Sequence, residues 1–295
     1  MGTGPLKHAE GGADRRHVVS SGGRDAIQAP ALGMAGRPLL QFQPAVDLSS
    51  GLLLGFEALL RWEHPERGLI PPSVVIPWAE ANGHIDALNA WVLDEACRQA
   101  AGWPSGIQLA VNCSLVQLRH RQASVATKRA LARTGLNPDR LTIEVTESAV
   151  ADESCHGDLR SLVKLGVHLA VDDVGTSWST LENFRRFSID TAKIDRIFIA
   201  ALEPDEGMHR AIVEAIVQVS RSLGLSTVAE GVETAQQVAL LRDFGVDVAQ
   251  GYFFAPPLSS GTTSSLAGAD PRPVFALTAD DGTGQTLSEL ASGRA

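Results

Sequence analysis

The chain has 295 residues, a formal net charge of −9 and 44% hydrophobic residues. Such an acidic chain is a poor non-specific ligand for DNA or for a membrane surface, and it contains no apolar run long enough to cross a bilayer. Its three cysteines, Cys97, Cys113 and Cys155, lack the CxxC spacing of metal and redox sites, which favours a reducing, cytoplasmic location.

Composition divides the chain into three parts. Residues 1–37 are rich in Gly, Ala, Arg and Ser and have no hydrophobic periodicity, so they are predicted to form a disordered arm. Residues 38–260 are predicted to form one barrel domain. Residues 261–295 resemble the arm in composition and are predicted to be largely disordered.

Eight short apolar segments of the central part are bounded by turn residues and are predicted to be strands. In chain order they are LLQFQPAVDL, LLGFEALLRW, IQLAVNCS, LTIEVTES, HLAVDDVG, TAKIDRIF, STVAEGVE and VDVAQGYFF. Helical segments separate most of them, which predicts an α/β fold of the TIM (β/α)8 barrel type. Only VDLSSG joins the first two strands. Because this link is too short for a helical crossover, the first strand is predicted to be antiparallel and the barrel to be modified.

Seven of the predicted strands carry one strong polar side chain near the end of an apolar stretch. These residues are Glu57, Asn112, Glu144, Asp172, Lys193, Glu230 and Gln250. Their neighbours are apolar or glycine, and side chains alternate between the two faces of a strand, so the polar set is predicted to point into the barrel. Only Asp173 breaks this alternation. Active sites of TIM barrels lie at the carboxyl ends of the strands, which makes this polar set a candidate site.

The acidic composition of this set predicts cation binding. Several carboxylates around one lysine cannot all stay ionised in a partly dry cleft unless they bind protons or cations. Carboxylates with an Asn carbonyl suit Mg²⁺, Mn²⁺ or Ca²⁺ better than zinc, and the adjacent Asp172 and Asp173 could bridge two metal ions, as in hydrolytic enzymes. The residues alone also leave open a glycosidase with an acid pair such as Glu144 and Glu230, although only 5% of the chain is aromatic.

The order of the motifs resembles that of the EAL-domain cyclic di-GMP phosphodiesterases. The signature triplet is Glu57-Ala58-Leu59. Further matching segments are GFEALLRWEHPERGLIPP, IPWAEANGHI, VNCS, EVTES, DDVGTSWSTL, KIDRIF, AEGVET and QGYFFAPPL. The resemblance implies a modified TIM barrel of the EAL-domain type that hydrolyses cyclic di-GMP to linear pGpG. It also implies two-metal activation of water by Mg²⁺ or Mn²⁺.

The resemblance implies roles for individual residues. The implied metal ligands are Glu57, Asn112, Glu144, Asp172, Asp173 and Glu230. The implied catalytic residues are Glu57, Glu230, Gln250 and Lys193, with Lys193 positioning and helping to deprotonate the attacking water. The implied substrate-binding residues are Gln43, Leu59, Arg61 and Glu233. Glu147 resembles the anchor of the loop that follows Asp173.

That loop is the weakest part of the match. Val174, Ser177, Trp178 and Thr180 stand where the family usually has Phe, Gly, Tyr and Ser. These departures leave open a catalytically weak or inactive domain that acts as a cyclic di-GMP receptor or a protein-interaction module. The complete set of metal positions favours an active enzyme. A homodimer and a regulatory protein partner are also expected.

Overall fold

The computed structural model describes residues 1, 35–175, 181–202, 207–270 and 272–277. Ten strands of this part form one sheet. They are β1 (Arg37–Asp47), β2 (Leu53–His64), β3 (Gly68–Ile70), β4 (Gln108–Asn112), β5 (Leu141–Thr146), β6 (His168–Val174), β7 (Thr191–Ile194), β8 (Ser226–Ala229), β9 (Val248–Ala249) and β10 (Leu258–Ser259). The part of the chain that the structure describes has no helix both long and apolar enough to span a membrane.

Helices connect most of these strands. They are α1 (Pro72–Ala81), α2 (Ile85–Ala100), α3 (Leu115–Arg119), α4 (Ala123–Thr134), α5 (Glu147–Ala151), α6 (His156–Lys164), α7 (Leu181–Arg186), α8 (Arg196–Ala200), α9 (Gly207–Leu223), α10 (Ala235–Phe244) and α11 (Ser260–Ala267). Gly83 has a φ of +72° between α1 and α2, a conformation that a glycine adopts without strain. Arg121, at a φ of 56°, separates α3 from α4.

The sheet closes into a barrel through its first strand. β1 runs antiparallel to β2 on one side and to β9 on the other, while β2, β4, β5, β6, β7, β8 and β9 are successively parallel. The predicted modified barrel with an antiparallel first strand is therefore confirmed. β3 and β10 were not predicted, because strands of three and two residues are too short to show an alternating pattern.

The apolar neighbours of the polar strand residues form the layer under the helices. Phe56, Val111, Ile143 and Ala192 are at most 1% exposed and belong to the main hydrophobic core. Side chains on the opposite face of the same strands must then point into the barrel, as the alternation predicted.

The segment after residue 260 differs from the prediction. It was expected to be largely disordered, but α11 spans Ser260–Ala267 and buries Leu266. Farther on, the Phe275 N–H donates to the Gly51 carbonyl at 2.8 Å, and the Phe275 ring packs edge-on against Phe254. The prediction is wrong here because a few apolar side chains find a place on the barrel, which composition cannot show. Residues 2–34 and 278–295 lie outside the described residues, so the predictions for them stay predictions.

Gly251 follows the site residue Gln250 and is required for close packing. A β-carbon at Gly251 would lie 2.1 Å from the carbonyl oxygen of Val232. We expect Gly251→Ala to lower the free energy of unfolding by about 1–3 kcal/mol, because the backbone of this crowded turn must move. The matched control is Gly207→Ala at the start of α9, where a β-carbon meets nothing within 4 Å. Equal urea midpoints for the two variants would contradict the prediction.

Candidate active site

The polar side chains predicted to meet do surround one lysine. The Lys193 side chain on β7 is 2% exposed, and its Nζ lies 2.8 Å from Glu144 Oε1 and 2.5 Å from Glu230 Oε1. Glu57 Oε2 lies 3.5 Å and Asp172 Oδ1 3.8 Å from the same Nζ. Four strands thus bring one carboxylate each to a shared ammonium at the carboxyl ends of the parallel strands.

Two amide side chains hold the carboxylate of Glu57 in place. Asn112 Nδ2 donates to Glu57 Oε1 at 2.6 Å, and Gln250 Nε2 donates to Glu57 Oε2 at 2.6 Å. Gln250 Nε2 also reaches Glu230 Oε1 at 3.1 Å. Because both oxygens of Glu57 accept a hydrogen bond, the first residue of the EAL triplet has a fixed position and direction.

The carboxylates of this cluster favour the charged form of Lys193. Burial works to lower the pKa of Lys193, but Glu144, Glu230 and the other two carboxylates outweigh it and raise the pKa well above its usual value. Burial likewise works to raise the pKa of Glu57, and it is outweighed by the charge of Lys193 and the two amide hydrogen bonds, so this pKa is lowered. The cluster therefore favours the charged forms of both Glu57 and Lys193.

The remaining carboxylates have more negative charge around them than Lys193 can balance. Burial and the nearby Glu57 raise the pKa of Glu144 well above its usual value. Burial raises the pKa of Glu230 to about 7, with Asp172 and Glu57 adding to the effect and Lys193 opposing it. Among the described residues, Glu144 Oε2 has no hydrogen-bond partner. The cluster thus has unused acceptor capacity and excess negative charge.

The donor set fits a hard divalent cation by its chemistry. Carboxylate and amide oxygens are the ligands that Mg²⁺ and Mn²⁺ prefer. In the described part of the chain, no three His, Cys, Asp or Glu side chains are already arranged to hold a metal ion. The ammonium of Lys193 lies at the point where the carboxylates converge, so their spacing here is set by that cation.

Asp173 departs from the alternation because the strand is irregular there. Its φ is +60°, and the pairing of β6 with β7 shifts register between Val171 and Val174. Burial raises the pKa of Asp173 to about 7, and the adjacent carboxyls of Asp195 and Asp172 contribute. Sequence reasoning missed Asp195, which is 9% exposed and accepts the Ile197 N–H at 2.7 Å to cap α8. Asp195 follows Lys193 by two residues in the KIDRIF segment, and this spacing could have pointed to a place near the site.

The rim of the site contains the predicted substrate-binding residues on β1 and β2. Gln43 pairs with Glu57 across the two strands, and Leu59 is half-buried beside them. Arg61 Nε donates to Gln41 Oε1 at 2.8 Å, which fixes the guanidinium. Sequence reasoning also missed Gln41, although it lies two residues before Gln43 and so on the same face of β1.

Arg61 also interacts electrostatically with Tyr252, a residue that the sequence analysis did not identify. Burial lowers the pKa of Arg61, while Tyr252 and Glu57 oppose that shift. Tyr252 is 67% exposed, which leaves its ring open to solvent. Glu233 is also exposed, and its N–H donates to Gln237 Oε1 at 2.7 Å in the first turn of α10. Glu233 is therefore outside the carboxylate cluster around Lys193.

The loop after β6 is only partly described. Glu147 is 4% exposed at the start of α5, and Val174 is half-buried at the end of β6. Ser177, Trp178 and Thr180 lie outside the described residues. The role of Glu147 as an anchor for this loop stays a prediction.

Comparison with known proteins gives one consistent family. The model of the EAL domain matches residues 29–257. MucR of Pseudomonas aeruginosa, named a bifunctional diguanylate cyclase/cyclic di-GMP phosphodiesterase, is 42% identical over 227 residues, which cover 75% of this chain and 33% of MucR. NbdA of the same organism, named a cyclic di-GMP phosphodiesterase, is 40% identical over 227 residues, which cover 74% of this chain and 29% of NbdA. The chain thus spans about a third or less of the length of these curated relatives.

A solved structure supports the same grouping. The structure of the PaMucR phosphodiesterase in complex with c-di-GMP superposes with a TM-score of 0.72 and 40% identity. The match covers 76% of this chain and 93% of the solved one. The barrel and the order of its motifs are therefore those of a known domain type.

Proposed function

This chain belongs to the EAL domain family, and we propose on that premise that its barrel hydrolyses cyclic di-GMP to linear pGpG. The observation that carries the proposal is the convergence of Glu57, Glu144, Asp172 and Glu230 on Lys193 at the carboxyl ends of the strands. Relatives named cyclic di-GMP phosphodiesterases support the choice of substrate.

Two divalent cations, Mg²⁺ or Mn²⁺, are part of the proposal. The residues that would hold them are Glu57, Asn112, Glu144, Asp172, Asp173 and Glu230. When bound, the ions supply positive charge for the attacking and leaving oxygens of the phosphodiester. Their charge would also balance the excess of carboxylates that Lys193 leaves unbalanced.

The side chains of the site divide the remaining tasks. Lys193, whose pKa the surrounding carboxylates raise, orients the attacking water as a hydrogen-bond donor. Burial raises the pKa of Glu230 to about 7, and a bound cation would favour the charged form of this carboxyl as a ligand. Arg61 presents a fixed guanidinium at the rim, where a fork of N–H donors can bind a phosphate. Gln250 holds Glu57 and Glu230 at their mutual distance.

The direct test is turnover of cyclic di-GMP by the purified chain. We expect pGpG to form with Mn²⁺ or Mg²⁺ and formation to stop when EDTA is added, because the carboxylates then lose their counter-charge. Liquid chromatography of the nucleotides measures both. Turnover that persists in EDTA would contradict the metal requirement.

The same assay separates the enzyme from the receptor that the loop substitutions left open. A receptor would bind cyclic di-GMP by calorimetry and form no pGpG with either metal. Binding without turnover would therefore replace the hydrolase proposal with the receptor proposal. The homodimer and the regulatory partner stay predictions, and sedimentation velocity of the purified chain tests the first of them.

A further inference from the structure

A cavity of about 530 Å³ lies inside the barrel below the active site. Its upper end is formed by Glu57, Glu144, Lys193 and Gln250. Its lower end is formed by residues near the amino-terminal ends of the strands, which we call the lower rim: Gln108, His168, Asp190 and Ser226. The cavity therefore runs from the underside of the site to the opposite face of the barrel.

Small inward-facing side chains cause this cavity. In a TIM barrel, layers of bulky branched side chains usually fill the interior. Here, the positions two residues before Asn112 and Glu144, which share their face, are Ala110 and Thr142. We call six of the side chains at this level the inner layer: Ala45, Ala110, Thr142, Thr191, Val228 and Val248. A seventh side chain at this level, Ala170, also lines the cavity and is 1% exposed.

The inner layer is open to solvent. All six of its residues are half-buried, whereas their outward-facing neighbours Val111, Ile143 and Ala229 are at most 1% exposed. In a filled barrel the inward residues would be as buried as the outward ones. Lys193 and Glu144 above them are only 2% and 3% exposed, so these side chains nearly close the upper end. The lower rim is exposed in its residues Gln108, Asp190 and Ser226.

The lining of the cavity discriminates by charge. It contains three carboxylates, those of Glu57, Glu144 and Asp190, against the ammonium of Lys193 and the imidazole of His168. Asp190 Oδ2 lies 3.3 Å from His168 Nδ1 at the lower rim. Carboxyl groups therefore outnumber the single ammonium along the cavity. An anion entering from below would be repelled.

We propose that the barrel interior has an entrance of its own at the lower rim, through which water and small neutral or cationic solutes reach the inner layer beneath Lys193 and Glu144. The entrance lies at the amino-terminal ends of the strands, and Arg61 and the substrate-binding rim lie on the opposite face of the barrel. This access does not depend on the proposed function.

Cysteine labelling tests access without any substrate. Val228→Cys places a thiol in the inner layer, and Val145→Cys, 1% exposed on the outward face of β5, is the matched control. The probes are 2-aminoethyl and 2-sulfonatoethyl methanethiosulfonate, which differ in charge and little in size. Cys97, Cys113 and Cys155 are buried, so the unmodified chain gives the background. Intact-protein mass spectrometry at pH 8 follows the reaction.

We expect the cationic probe to label Val228→Cys at least tenfold faster than Val145→Cys and tenfold faster than the anionic probe does. Adding Ser226→Trp, which narrows the lower rim, is expected to slow labelling of Val228→Cys at least tenfold. Equal labelling of the two cysteine variants, equal rates for the two probes, or no effect of Ser226→Trp would overturn the proposal. Thr142→Cys replaces Val228→Cys if circular dichroism shows that the latter is unfolded. If the unmodified chain does not hydrolyse cyclic di-GMP but the cysteine variants label as expected, only the proposed function is rejected.

Discussion

Replacing Asp172 with asparagine is expected to lower the rate of cyclic di-GMP hydrolysis at least about 100-fold and to leave the fold intact. The Asp172 side chain is 18% exposed, and its Oδ1 accepts the Asp173 N–H at 3.0 Å. Asparagine keeps that acceptor and nearly the same shape. The substitution removes one negative charge facing Lys193 and a ligand of the proposed cations.

The measurement is kcat at saturating substrate with Mn²⁺, together with the melting temperature. The matched control is Asp243→Asn on the exposed side of α10, which makes the same chemical change away from the site. We expect the control to keep the parental rate. A normal rate in Asp172→Asn would show that this carboxylate is not part of the reaction. Similar loss in both variants would point to a general effect of the substitution.

Replacing Lys193 with methionine is expected to abolish hydrolysis and to destabilise the protein by about 3–5 kcal/mol at pH 8. Methionine fills much of the same volume, so the loss comes from charge. Nζ is the shared cation of Glu57, Glu144, Asp172 and Glu230, and three of these carboxylates lie within 3.5 Å of it. Without it, the buried carboxylates repel one another with no counter-charge.

The pH dependence of the stability loss in Lys193→Met distinguishes repulsion between carboxylates from lost packing. The pKa values of Glu144 and Glu230 are already raised by burial with Lys193 present, and its removal raises them further. A carboxyl whose pKa is higher in the folded than in the unfolded state costs stability as the pH rises through the interval between the two values. The deficit of Lys193→Met is therefore expected to be smaller at pH 5 than at pH 8.

Urea unfolding at the two pH values measures this deficit. Millimolar Mg²⁺ is expected to restore part of it at pH 8, because a divalent cation replaces the missing charge. Lys164→Met, at the exposed end of α6, is the control and should change stability little at either pH. A deficit that is independent of pH would indicate lost packing and would reject the electrostatic explanation.

The alternation of polar and apolar residues carried most of the information in the sequence. It placed Glu57, Glu144 and Lys193 on the inner face of the barrel, because a strand has only two faces and the outer one must be apolar under the helices. The short VDLSSG link likewise required the antiparallel pairing of β1 with β2. The segment after residue 260 was missed, since isolated apolar residues such as Leu266 and Phe275 show no period.

The sequence by itself determined the barrel, its first antiparallel strand and the set of side chains that face its interior. Only the tertiary structure decided that four carboxylates share one ammonium and that they raise the pKa of Lys193 well above its usual value. It also decided that Asp173 turns toward Asp195 at an irregularity of β6. Alternation fixes the face on which a side chain lies, whereas distances between strands depend on register and closure of the sheet. Those distances set the pKa values, because electrostatic interaction falls with separation and strengthens with burial.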